Sequence, residues 1–205
     1  MKKQTVNASD YYTPQHIKDQ LCDMLKLVID KFDNEGIEYW ADGGTLLGAV
    51  RNQGIIPWDD DVDIGCFNKD KKKIQKVLDD IVGNNIYSSC ETYFGYKIFP
   101  PNGKTLYCRG RPLPYKYPAL DIFLYSKDLE YVSEKAKTYF KKSFTFSNLF
   151  PLKKFKFEDF EIKGANNAED YLDKQYGDNW RTHGVITYNH STERFYKYPK
   201  IFEIP

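Results

Sequence analysis

Four carboxylates crowd into five consecutive positions, Asp59-Asp60-Asp61-Val62-Asp63, and the chain must find a fold that tolerates them. From Asp61 to Phe67 polar and apolar residues alternate, which is the pattern of a half-buried strand. Residues two apart in a strand face the same side. Asp59, Asp61 and Asp63 therefore share a face if the strand reaches that far back. Like charges this close repel, and burying them unpaired costs several kcal/mol. A divalent cation resolves the conflict. Hard oxygen ligands with few His or Cys nearby favour Mg²⁺ or Mn²⁺ over zinc. The competing reading is an acidic, solvated turn that caps the next element. The regular alternation with Val62, Ile64 and Phe67, directly after Trp58, favours the cation site.

Gly43-Gly44-Thr45 lies just upstream, between a short predicted strand (Ile37 to Ala41) and a brief predicted helix (Thr45 to Asn52). Glycine lets backbone approach a phosphate closely, and free N–H groups at a helix start attract an anion. A tight turn with no ligand fits the same residues. The segment is neither a Walker A loop nor a G-x-G-x-x-G fingerprint. Asp121, in Ala119-Leu120-Asp121-Ile122-Phe123-Leu124, is a carboxylate inside a predicted apolar strand and needs a partner if buried. Either a shared cation or a salt bridge, for example with Arg109 or Arg111, supplies one.

Around these features the chain reads as a mixed α/β domain with a small sheet. An apolar stripe at Ile17, Leu21, Met24, Leu25, Val28, Ile29 and Phe32 predicts a first helix between Pro14 and Asn34. Lys69 to Val82 predicts a second long helix. Thr92–Phe99 and Thr105–Arg109 read as strands around the turn Pro100-Pro101-Asn102-Gly103. A lysine-rich helix is expected from about Asp128 to Lys142, a hairpin from Phe155 to Lys163, and a helix from Ala168 to Tyr176 stopped by Gly177. At 205 residues a single domain is expected, with its core at about 15–180 and an unassigned tail at 181–205.

The formal net charge is +1, so no global field draws the chain to nucleic acid or anionic lipid, and phosphate binding must be local. No run approaches the ~20 apolar residues of a membrane span. The start, Met1 to Pro14, is polar. Cys22, Cys66, Cys90 and Cys108 form no C-x-x-C pair. The expectation is a soluble, cytoplasmic protein with free thiols.

Two long blocks, Trp40-Ala41-Asp42-Gly43-Gly44-Thr45-Leu46-Leu47-Gly48-Ala49-Val50-Arg51 and Ile55-Ile56-Pro57-Trp58-Asp59-Asp60-Asp61-Val62-Asp63-Ile64-Gly65, resemble the signature of the LicD family. That family includes bacterial phosphocholine transferases and is similar to the fukutin and fukutin-related proteins. Leu120-Asp121-Ile122-Phe123 matches its later aspartate strand, and Tyr171-Leu172 with Tyr176-Gly177-Asp178-Asn179-Trp180 matches its C-terminal signature. The resemblance spans roughly residues 15 to 180; residues 84–118 and the tail beyond 185 lie outside its motifs.

The resemblance implies a nucleotidyltransferase-like fold and transfer of a substituted phosphate from a CDP-activated donor, with CMP released. It implies that Asp61, Asp63 and Asp121 are the catalytic and metal-binding triad, holding Mg²⁺ or Mn²⁺. It further implies that Gly43, Gly44 and Thr45 contact donor phosphate, that Arg51 grips phosphate or braces the loop, and that Asp59 is a supplementary ligand. The expected partners are a CDP-linked donor, such as CDP-choline or CDP-ribitol, and a glycan or polyol acceptor. Lys97, Arg109, Arg111 and the Tyr-rich tail are candidates for acceptor contacts. Nucleotidyl transfer from an NTP, with release of pyrophosphate, fits the same triad. So does an inactive nucleotide- or glycan-binding domain, although all three aspartates of the triad are present.

Overall fold

The structure is a computed structural model and describes residues 4–127, 131–134 and 144–204. The chain opens with β1 (Gln4–Thr5), α1 (Gln15–Asn34), β2 (Tyr39–Ala41), α2 (Gly43–Arg51), β3 (Val62–Phe67) and α3 (Lys71–Gly83). Next come β4 (Ser88–Glu91), β5 (Gly95–Phe99), β6 (Lys104–Cys108), β7 (Arg111–Tyr117), β8 (Leu120–Lys127), β9 (Tyr131–Glu134) and β10 (Phe144–Thr145). It closes with α4 (Phe146–Leu149), β11 (Lys153–Phe157), β12 (Phe160–Gly164), α5 (Ala168–Tyr176), β13 (His183–Asn189) and β14 (Arg194–Glu203).

This is a mixed α/β fold in which helices flank a small mixed sheet. The main sheet runs β10-β9-β8-β3-β2, and β5 joins the first half of β8 while carrying β4 on its other edge. β3 and β8 are parallel; β2, β5 and β9 are antiparallel to their neighbours. The register fixes the site, because Asp63 lies directly opposite Asp121 and Asp121 directly opposite Lys97. In-register residues on neighbouring strands project from the same face. Two carboxylates and an ammonium thus form one row across three strands.

The opposite face is apolar. Val62, Ile64 and Cys66 of β3 and Leu120, Ile122 and Leu124 of β8 are buried. α1 lies against β8 and α3 and contributes Leu21, Met24, Leu25, Val28, Ile29 and Phe32, the predicted stripe; Ile17, at the helix start, is half-buried. α2 lies against β2, β3 and α5. Gly65 is needed where it stands, since a Cβ there would overlap the Trp40 indole, 2.7 Å from Cζ2.

Four expectations change. β3 begins at Val62, so strand alternation does not set the orientation of Asp59. β5 and β6 flank the predicted turn but do not pair with each other; β5 joins the main sheet and β6 pairs β7. Within the span of the expected helix at 128–142, residues 131–134 are strand β9, held by β8 and β10, and the rest of that span lies outside the described residues. The unassigned tail is the antiparallel hairpin β13–β14, with β1 parallel on its edge. Its alternating aromatic and polar residues serve as a strand pattern once a docking surface exists, and Phe202 packs edge-on against Trp58 at 4.5 Å.

Candidate active site

Asp42 follows β2 and caps α2. Its carboxylate accepts from the Gly43 N–H at 2.9 Å, from the Tyr171 hydroxyl at 2.8 Å and from the Tyr125 hydroxyl. Its own N–H donates to the Asp63 carbonyl at 3.1 Å. The next link is Thr45, whose buried hydroxyl accepts from the Asp63 N–H at 2.7 Å. The start of α2 is therefore strapped to β3 at the residue whose side chain enters the site. Burial raises the Asp42 carboxyl above its ordinary range despite the three donors.

The two glycines fit around carboxylates. Gly43 has φ +47°, and a Cβ there would stand 3.1 Å from Asp63 Oδ2. A Cβ on Gly44 would collide with Asp59 Oδ2. Asp59 and Asp63 thus sit against the positive end of α2, where negative charge is favoured.

Asp61, Asp63 and Asp121 come together. One oxygen from each lies within 4.8 Å of the others, an arrangement able to hold a metal ion. Asp121 has the partner that its position demands, but it is Lys97 rather than Arg109 or Arg111. The Lys97 ammonium donates to both Asp121 oxygens, at 2.6 and 2.7 Å. Arg109 and Arg111 are exposed at the β6–β7 turn.

A second cation arrives from the tail. His190, in the turn between β13 and β14, sets Nδ1 2.6 Å from Asp60 Oδ1 and Nε2 3.0 Å from Asp61 Oδ2. Asp60, Asp61 and His190 form another cluster of metal-ligating type. Sequence reasoning did not select His190, and no metal-binding motif marks it. The available signal was the charge imbalance, since four crowded carboxylates call for nearby cations.

Burial and neighbours divide the carboxylates. Burial raises Asp63 well above the usual range, and repulsion from Asp61, Asp121, Asp42 and Asp59 adds to it. Asp59 is likewise raised by burial and by Asp61. Burial also works upward on Asp61, but the charge and hydrogen bond of His190 outweigh it and hold that carboxyl below its usual value. Asp121 is raised by burial against the pull of Lys97. His190 is held well above the ordinary imidazole value, because Asp61 and Asp60 overcome the burial that disfavours its charge.

A cavity of about 520 Å³ opens beside the triad, lined by Gly44, Arg51, Trp58, Asp59, Asp63 and Tyr176 among others. Arg51 sits at its wall from the last turn of α2. Its Nη1 donates to the Trp180 carbonyl at 2.7 Å, and its guanidinium lies 5.4 Å from the Trp58 ring centroid. Its buried Nη2 has no hydrogen-bond partner among the described residues. The C-terminal signature therefore packs onto α2. Tyr171 holds the cap, Trp180 holds Arg51, and Trp180 Nε1 is itself fixed by Asp173 at 2.7 Å.

Among the described residues all four cysteines are free thiols, and no helix is long and apolar enough to cross a membrane. The chain is 33% identical over 172 residues to the uncharacterized protein RT0683 of Rickettsia typhi, covering 83% of this chain and 50% of that protein. It spans about half the length of the curated relatives that match most of it. Over 59 residues it is 41% identical to the human ribitol 5-phosphate transferase FKRP, covering 29% of this chain and 12% of that protein. The crystal structure of ANT(2")-Ia in complex with adenylyl-2"-tobramycin aligns at TM-score 0.48 and 10% identity, covering 78% of each chain. The family model described as LicD/FKTN/FKRP, nucleotidyltransferase domain, matches residues 36–167. By that match, which takes in the strapped α2 start and all three converging aspartates, the chain belongs to the LicD/FKTN/FKRP nucleotidyltransferase-domain family.

Proposed function

We propose that this chain catalyses metal-assisted transfer at phosphorus, from a nucleotide-activated donor to a hydroxyl. One observation carries the reading: Asp61, just before β3, and Asp63 and Asp121, opposite each other on parallel strands, converge within 4.8 Å beside the start of a helix. The donor set is all carboxylate oxygen, and Asp63 is ringed by negative charge, which suits Mg²⁺ or Mn²⁺. Asp61, Asp63 and Asp121 would hold the ion, which when bound neutralises charge on the phosphoryl oxygens.

The other groups have roles that follow from their places. The donor occupies the cavity beside Gly44, with its phosphates toward the positive end of α2. Arg51 turns its unpartnered Nη2 to a phosphate oxygen while Nη1 stays anchored on Trp180. Asp63 takes the proton of the acceptor hydroxyl, since Lys97 occupies both oxygens of Asp121 and His190 one of Asp61. The acceptor oxygen forms the new bond to phosphorus, and the bond from phosphorus to the leaving phosphate breaks.

Two donors satisfy this chemistry. The family's description as a nucleotidyltransferase domain supports attack on the α-phosphorus of an NTP, with pyrophosphate leaving. Similarity to the ribitol 5-phosphate transferase supports attack on the β-phosphorus of a CDP-linked polyol or choline, with CMP leaving. A panel of NTP and CDP-linked donors with Mg²⁺ or Mn²⁺, followed for pyrophosphate and CMP, separates them. Asp63→Asn lowers either turnover by at least about 10³-fold with the fold intact. Undiminished turnover in that variant would refute the proposal. Donor binding without any product would instead mark an inactive binding domain.

A further inference from the structure

We propose that Lys97 stands in the place of a second metal ion, so that this site takes one divalent cation per chain. The inference rests on the reading of Asp61, Asp63 and Asp121 as a cation site. Sites that displace at phosphorus commonly use two ions about 3.5–4 Å apart, sharing carboxylates between them. Here one of those carboxylates already carries a built-in cation. Lys97 Nζ lies 2.6 Å from Asp121 Oδ1 and 2.7 Å from Oδ2, so neither oxygen is free of positive charge.

The ammonium is not a mobile surface group that a metal could displace into water. The Lys97 and Asp121 side chains are 10% and 9% exposed. The β5–β8 register sets Lys97 opposite Asp121, just as the β3–β8 register sets Asp63 on the other side. Aromatic rings enclose the charge, with the Tyr115 centroid at 4.8 Å and that of Phe94 at 5.7 Å. Leaving Asp121 would strand a charge in a poorly hydrated pocket. On the far side of the row, the charges that act most strongly on Asp63 are carboxylates, those of Asp61, Asp121, Asp42 and Asp59. One divalent ion held by the three aspartates would complete the charge balance that Lys97 begins. Lys97 is thus a positioning residue: it fixes Asp121 and supplies one positive charge with no ion to recruit.

The count of bound Mn²⁺, read by electron paramagnetic resonance on the whole chain titrated with Mn²⁺ alone, tests this. The wild-type chain binds one equivalent and Lys97→Met binds two, because the freed Asp121 opens the second position. Lys97→Arg keeps the charge and stays at one. Thermal melts establish that each variant is folded. Should Lys97→Met not fold, Lys97→Gln keeps one donor to Asp121 without the charge and is expected to bind two. Two equivalents in the wild type or in Lys97→Arg, or one in the folded uncharged variant, overturn the role given to Lys97. No bound Mn²⁺ in the wild type overturns the cation site itself, which is a separate failure.

Discussion

Gly44→Ala separates a site requirement from a folding requirement. The added Cβ would collide with Asp59 Oδ2, with Asp59 Cγ at 3.5 Å and Oδ1 at 3.8 Å. Only the end of one side chain stands in the way, so the carboxylate turns aside by about 1 Å rather than moving the backbone. Gly44 lies inside α2, where alanine is favoured over glycine by up to about 1 kcal/mol. The gain and the local crowding nearly offset, and for a chain of this size the melting temperature shifts by no more than about 3 °C. Turnover responds differently. Asp59 is displaced within the cavity that the donor occupies, and a misplacement of about 1 Å at such a site costs roughly 10²-fold in kcat. The assay pairs a thermal melt with release of CMP or pyrophosphate at saturating donor. A double variant with Asp59→Ala should be no slower than Asp59→Ala alone, because the collision is gone. Wild-type kcat in Gly44→Ala would refute the reasoning. So would a melting temperature lower by more than about 10 °C, which would make Gly44 a packing residue.

Asp42→Ala removes a helix cap worth about 1 kcal/mol and two buried hydrogen bonds from tyrosine hydroxyls, for a total loss of about 3–5 kcal/mol measurable by denaturant unfolding; a loss under about 1 kcal/mol would contradict the cap. Asp59 and Asp63 are raised in the folded chain, so their contribution to stability is fully present below the ordinary carboxylate value and is lost as pH rises through their folded values. Asp61, held low, contributes in the opposite sense, with stability lost as pH falls through its folded value. Asp42 and Asp121 are raised as well, so protons compete with the cation at low pH. Mg²⁺ at a hundredfold excess over Kd should stabilise the chain by about 2.7 kcal/mol at about pH 7.5 and by less at about pH 5, read as a smaller rise in melting temperature; an equal or larger rise at the lower pH would refute this. His190→Gln leaves Asp60 and Asp61 without their charged partner and should cost about 2 kcal/mol without metal, discounted for the partial exposure of the imidazole; Mg²⁺ should recover most of it in a calorimetric melt.

The parts of this site that were legible in the sequence are those whose geometry is local. Strand alternation from Val62 sets Asp63 on the face opposite its apolar neighbours, with Asp61 just before that strand, and Gly43-Gly44 announces a helix start between two strands. The apolar stripe of α1 needs only a period of 3.6 residues. Where a neighbour decided the outcome, the signal failed. The span at 128–142 is rich in lysine and reads as a helix, yet residues 131–134 pair with β8 and β10. Asp59 lines the same cavity as Asp61 and Asp63 although the strand starts three residues after it, so contact with α2 rather than strand alternation sets its orientation.

The cations were hidden for a related reason. Lys97 lies between Tyr96 and Ile98 in a strand whose every residue is buried, and His190 lies in a turn of a hairpin that carries no metal-binding motif. Neither position means anything until sheet register or hairpin docking sets it against a carboxylate. Yet the need for them was present from the start. Buried like charges demand compensation, and Gly95-Tyr96-Lys97-Ile98-Phe99 is a buried strand interrupted by one ammonium, the mirror of Asp121 in its own apolar strand. A buried lysine in one strand and a buried aspartate in another each need an opposite charge, and the least costly solution is that they meet. Pairing such isolated charges across predicted strands would set β5 against β8 from the sequence alone. It would also move Lys97 from the candidate acceptor contacts to the end of the carboxylate row.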